Sequence, residues 1–152
     1  MSWTTSAESA FPWPTVHRLA AAFAAVAIVR FAGALSTAIP LGDEVPYLEA
    51  MTFVSEGRSP YSGFGYFYPP AFAVIGQHLL SAVGTPGVLV VLRLVNSIGA
   101  AYLVACSVVF LGGSNLRRWM VGAAVICLSP AVALAFDWGN LSLAIAGLAV
   151  VA

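Results

Sequence analysis

Two carboxylates, Asp43 and Glu44, stand side by side in the stretch GDEVPY of a chain that carries little charge: 8% of its 152 residues are charged and 61% are hydrophobic. A carboxylate placed within a few residues of a helix end, where water is partly excluded, can serve as a general base that takes a proton from a hydroxyl. Asp43 is the first candidate for that role and Glu44 is the alternative. Other polar residues stand in apolar surroundings. Arg93, with Asn96 one turn deeper, offers a planar fork suited to two hydrogen bonds with a phosphate, or else a head that snorkels to an interface. Asp137 and Asn140 follow a third apolar run, and His78 either faces a site or packs at an interface. Arg30 falls inside the first apolar run, where a charge is a functional candidate unless it pairs with a carboxylate of another helix.

The elements that would hold these residues belong to a membrane protein. Mean hydropathy is +0.94, far above that of a soluble domain. Net charge is zero and all six basic residues are arginines, so no basic patch exists to neutralise a row of phosphates, and nucleic acid is excluded as a partner. Cys106 and Cys127 lie in apolar runs and read as small hydrophobes. No cysteine and histidine spacing suggests a metal site, no cofactor is implied, and a divalent-metal requirement is not encoded in the spacing.

The expected fold is all-α, a polytopic membrane bundle. After an N-terminal arm, 1–18, the runs 19–39, 87–111 and 119–136 each fall within the roughly 17–25 residues of a membrane-spanning helix. A fourth run, 140–152, whose apolar residues begin at Leu141, ends about 18 Å further along, so the sequence reads as the N-terminal portion of a longer chain. Residues 71–84 cover only about 21 Å of helix. Phe72, Ile75, Leu79 and Val83 give them a one-sided apolar stripe, with a start at Pro69-Pro70 and a break at Gly84-Thr85-Pro86-Gly87, so they are expected to lie on the membrane. With the N-terminus inside, Arg18 joins Arg117 and Arg118 of the inner loop 112–118, and only Arg58 lies outside, as the positive-inside rule requires. Asp43 and Asp137 then share the outer side.

The outer loop, 40–86, holds four of the six acids. Pro46 suits the first turn of a short helix that follows Asp43 or Glu44 and stops at Gly57, with Tyr47, Met51 and Val54 as its apolar stripe. Glu49 and Glu56 sit on another flank and read, with most of the tyrosines, as solvated loop residues.

Read in order, the acid Asp43, Tyr47-Leu48-Glu49-Ala50, Glu56-Gly57-Arg58-Ser59-Pro60-Tyr61, Phe67-Tyr68-Pro69-Pro70 and Gly139-Asn140-Leu141 resemble the N-terminal part of glycosyltransferase family 87. The likeness runs over about residues 30–152. It implies a GT-C-like membrane fold, with short surface-lying helices in the first outer loop; the arginine-only basic set and abundant alanine fit a bacterium, and so a bacterial inner membrane. It also implies transfer of a sugar, mannose-like, from a polyprenyl-phosphate donor to a lipid or glycan acceptor at the outer face. Under it, Asp43 is the catalytic acid and Asp137 and Asn140 carry over; with Tyr68 of the aromatic motif and with Arg93 and His78 from the residue reading above, they make up the candidate substrate contacts. Glu44 stands where the family more often has an aromatic or small residue, which keeps it as the alternative acid. The chain alone is expected to lack transferase activity. The competing expectation is a small non-enzymatic membrane module or transporter half, with Arg30 and Asp137 lining a polar path.

Overall fold

A computed structural model describes residues 12–111 and 115–151. Among these residues the chain is all-helical, with no strand. Its elements are α1 (Trp13–Arg30), α2 (Ala32–Ser36), α3 (Glu44–Ser55), a 3-10 turn (Pro60–Ser62), α4 (Pro70–Phe110), α5 (Leu116–Leu128), α6 (Pro130–Asp137) and α7 (Ser142–Val151). Most of the expected inner loop's first half, 112–114, and residues 1–11 of the expected arm lie outside the described residues.

The first apolar run is not one helix. Helix α1 starts earlier than hydropathy suggests, because Pro12 and Pro14 suit a helix start and pre-set its first turn. It ends at Arg30, where Phe31 leaves the helical backbone to stack its buried ring on Phe136, 4.0 Å between centroids. Arg30 therefore stands at a helix end, exposed, with its guanidinium over the Phe31 ring, and not at the middle of a span. The expected run 119–136 is broken as well. Pro130 disfavours helical backbone at Ser129, which is extended, and the Ser129 hydroxyl accepts from the Val132 N–H to start α6. The two pieces, α5 and α6, meet at 46°.

Helix α4 is the axis of the molecule and packs against every other α-helix. It is the one described helix long and apolar enough by itself to cross a membrane, with the bent pair α5–α6 as a second, broken candidate. Its break falls at Gly84, whose φ of 67° suits glycine and no other residue, so residues 70–83 and 85–110 form two arms. The first arm turns a different face to the core than the stripe suggested. Ala73 and Gly76 are buried against α3, while Ile75 is 71% exposed. Gly76 makes this possible, since a Cβ there would overlap the Met51 side chain.

Two apolar clusters flank α4. One joins it to α1, α5 and α6 through Phe23, Ala101, Ile126 and Phe136; the other joins it to α3 and α7 through Tyr47, Met51, Ala73, Leu92 and Leu141. Helices α4 and α7 touch backbone to backbone at Gly99, Ala144 and Gly147, the small-residue packing by which apolar helices approach closely. Adding a methyl at Gly99 drives it into the Ala144 Cα and the Leu143 carbonyl, neither of which can rotate away. Gly99→Ala is expected to destabilise the fold by about 1–3 kcal/mol. Gly33→Ala, where a Cβ meets open space, should be neutral or stabilising by up to about 1 kcal/mol. Thermal unfolding of the two variants in detergent checks the contrast.

Candidate active site

The site is built where the N-terminus of α3 meets the turn between α6 and α7. Its foundation is an ion pair. Arg93, on α4, is 3% exposed and donates from Nε to Glu44 Oε1 at 2.8 Å and from one terminal nitrogen to Glu44 Oε2 at 2.7 Å. Its remaining N–H groups reach the carbonyls of Ala34 (2.6 Å), Thr37 (2.5 Å) and Ile39 (2.9 Å). All five guanidinium donors are thereby used. The carbonyls belong to the end of α2 and the strap behind it, where a helix terminus leaves acceptors unpaired and favours a cation. Glu44, fully buried, also accepts from the Leu41 N–H at 2.7 Å.

This geometry corrects two expectations. Arg93 neither forks onto a phosphate nor snorkels, because its donors are consumed within the fold. Glu44 has no open face toward a ligand and serves the ion pair, leaving Asp43 as the carboxylate that faces a cavity.

Asp43 is held on two sides. Its N–H donates to the Trp138 carbonyl at 2.6 Å, and its Oδ2 accepts from Asn140 Nδ2 at 2.7 Å. Gly139 allows the approach in two ways: its φ of 67° closes the turn, and a Cβ would overlap the Glu44 Cγ. Among the described residues no hydrogen bond reaches the other oxygen, Oδ1.

Two cavities meet at this carboxylate. One, of about 760 Å³, is lined by Asp43 and Asn140 together with the aromatic and proline groups of Pro46, Tyr47, Phe67 and Tyr68. The other, of about 560 Å³, is lined by Asp43 and Asn140 with Leu134, Ala135, Trp138 and Leu143 of α6, the turn and α7. The first wall is rigid. Tyr47 donates to the Tyr68 hydroxyl at 2.9 Å with the rings edge to face, Tyr61 donates to the Tyr68 carbonyl at 2.9 Å, and Tyr66 donates to the Pro69 carbonyl at 2.8 Å. Burial, and then the hydrogen bond with Tyr68, pushes the Tyr47 hydroxyl far above the ordinary tyrosine range, so it stays protonated and holds Tyr68 in place. Burial raises Tyr66 in the same direction.

Of the sequence candidates, Asp43, Asn140 and Tyr68 come together at the first cavity. Asp137 ends α6 as an exposed residue and His78 is exposed on the first arm of α4; neither lines either cavity. Arg30 and Asp137 lie at the ends of α1 and α6, and among the described residues no ion pair joins them. Sequence reasoning missed Tyr47 as a cavity wall, having assigned it to an apolar stripe, and missed Phe64 and Phe67, exposed at the rim. Among the described residues no cluster of three or more His, Cys, Asp or Glu could hold a metal ion. No protein-family model, curated protein or solved structure matches this chain.

Breaking a buried ion pair from one side leaves an unpaired charge in the interior and costs about 3–5 kcal/mol. Glu44→Ala and Arg93→Ala are each expected to lose that much stability. Glu56→Gln, which breaks a half-exposed pair with Arg58, should change stability by less than about 1 kcal/mol. Unfolding of the three variants side by side measures the difference.

Proposed function

We propose that this chain is the N-terminal portion of an integral-membrane glycosyltransferase that moves a sugar, mannose-like, from a polyprenyl-phosphate donor to a lipid or glycan acceptor. In this reading the helices form a polytopic GT-C-like bundle in a bacterial inner membrane, with the N-terminus cytoplasmic and the site at the outer face. The long apolar helix α4 and the broken pair α5–α6 support the membrane setting by length and composition. The observation that carries the chemistry is the position of Asp43: one carboxylate, oriented by an amide, at the boundary between an aromatic cavity and an apolar one.

A two-substrate transfer needs that arrangement. The apolar cavity beside α6 and α7 suits the isoprenoid portion of the donor next to its phosphate, and the aromatic cavity suits the acceptor. Asp43 then takes the proton from the acceptor hydroxyl through its free oxygen. The hydroxyl oxygen bonds to the sugar's anomeric carbon as the bond from that carbon to the phosphate oxygen breaks, and the polyprenyl phosphate leaves with the electron pair. Tyr68 and Asn140 shape the acceptor side. The transporter reading gains nothing from these two cavities, which neither Arg30 nor Asp137 lines.

Donor placement can be tested on this chain without turnover. A polyprenyl-phosphate mannose carrying a photoreactive diazirine in its isoprenoid chain is expected to label the stretch 131–143, with loss of labelling under excess unmodified donor. Leu134→Trp should abolish the labelling by filling the cavity. Labelling confined to other helices, or labelling that excess donor leaves unchanged, contradicts the reading.

A further inference from the structure

Asn96 is a polar side chain on the inward face of α4, 3% exposed, between the buried Arg93 and Ser97 in a helix that is mostly apolar. Its carboxamide is inserted into the first turn of α7. Asn96 Nδ2 donates to the Asn140 carbonyl at 2.9 Å, and its Oδ1 accepts from the Ala144 N–H at 3.1 Å. Those two groups, four residues apart, are the pair that an ordinary helical hydrogen bond would join. The first backbone bond of α7 is instead Ile145 N–H to the Leu141 carbonyl. One side chain of α4 thus stands in for a helical bond of α7 and fixes both its ends.

The consequence falls on Asn140, which has four polar groups and uses all of them. Its N–H donates to the Ala135 carbonyl at 2.9 Å, its carbonyl accepts from Asn96, its Oδ1 accepts from the Ser142 N–H at 2.8 Å and from the Ser142 hydroxyl, and its Nδ2 donates to Asp43. The two Ser142 donors orient the amide, since they require oxygen on that side and leave the nitrogen facing the carboxylate. Arg93, three residues before Asn96 and on the same face of α4, fixes Glu44, the chain neighbour of Asp43.

We propose that Asn96 is a positioning residue for Asp43: by anchoring the Asn140 carbonyl it holds the Asn140 amide against one carboxylate oxygen and leaves the other turned to the cavities. Asn96 and Arg93 together make one turn of α4 the common reference for both segments that meet at the site. The effect on turnover rests on Asp43 acting as the base; the placement itself does not.

The side-chain amide resonances of Asn140 in the ¹⁵N-labelled chain read the placement directly. Asp43→Asn identifies their shift when the carboxylate partner is lost. Asn96→Ala is expected to move them in the same direction and to speed their hydrogen exchange, while Ser97→Ala, a neighbouring buried change that removes only the bond to the Arg93 carbonyl, leaves them in place. Should the Asn96→Ala chain not fold, Asn96→Asp serves instead, because it keeps the acceptor for Ala144 and removes the donor to Asn140. Unmoved Asn140 resonances in the folded Asn96 variant overturn the proposal. So does failure of both Asn96 variants to fold while Ser97→Ala folds, which would make Asn96 purely architectural. In an active preparation, Asn96→Ala and Asn140→Ala should each lower kcat by about 10²-fold, the order expected when a reacting group is misplaced by an ångström. Their combination should lower it no further. Intact placement effects with no polyprenyl-phosphate-dependent sugar transfer in native membranes would sink the transferase reading and leave the positioning role standing.

Discussion

Placing an arginine and a glutamate inside an apolar bundle is costly, and the cost is offset only when attraction at close range is joined by hydrogen bonds to every remaining donor and acceptor. Arg93 and Glu44 meet that condition. The guanidinium spans five acceptors drawn from the end of α2, the strap behind it and the start of α3. Three chain segments are thereby gathered at one point on α4, the end of α2 and the strap through their carbonyls and the start of α3 through the Glu44 carboxylate. Because every guanidinium donor is already used, the arrangement has little freedom to slide, and the loop that bears Asp43 inherits that fixity.

Two adjacent carboxylates thereby acquire opposite duties. Helical geometry turns neighbouring residues about 100° apart, so when Glu44 points into the bundle to meet Arg93, Asp43 is turned away toward the α6–α7 turn and the cavities. Gly139 and Gly42 let the two turns approach: a Cβ on either would run into Glu44 or against Trp138. A second polar side chain one turn further along α4, Asn96, ties down the far side of the same junction. The molecule concentrates its few buried polar groups in one place, and among the described residues none of their buried side-chain atoms lacks a hydrogen-bond partner.

Local features of this fold were legible in the sequence. The helical content follows from apolar runs and periodicity, the start of α3 from Asp43-Glu44 and Pro46, and the break in α4 from Gly84 and Pro86. Other features required partners that local pattern cannot supply. The interruption at Phe31 depends on a ring more than a hundred residues away in the chain, Phe136. The partnership of Glu44 with Arg93, 49 residues apart, is also beyond local pattern, and without it an arginine near a helix end reads as a ligand for phosphate. The kink at Ser129 was legible in principle from Pro130, but an unbroken apolar run masked it. Asp43 and Asn140 were singled out separately; that an amide of one meets a carboxylate of the other emerges only when α4 holds both turns.

On the proposed transferase reading, the division of labour between the two carboxylates is tested most directly by turnover. With Asp43→Asn introduced at the chromosomal gene, sugar transfer from a polyprenyl-phosphate donor is measured in native membranes, with protein amount and melting temperature followed in the same samples. The account predicts a loss of about 10²- to 10⁴-fold, the usual contribution of a general base, with amount and melting unchanged. Transfer at the wild-type rate by a normally folded Asp43→Asn protein would contradict it.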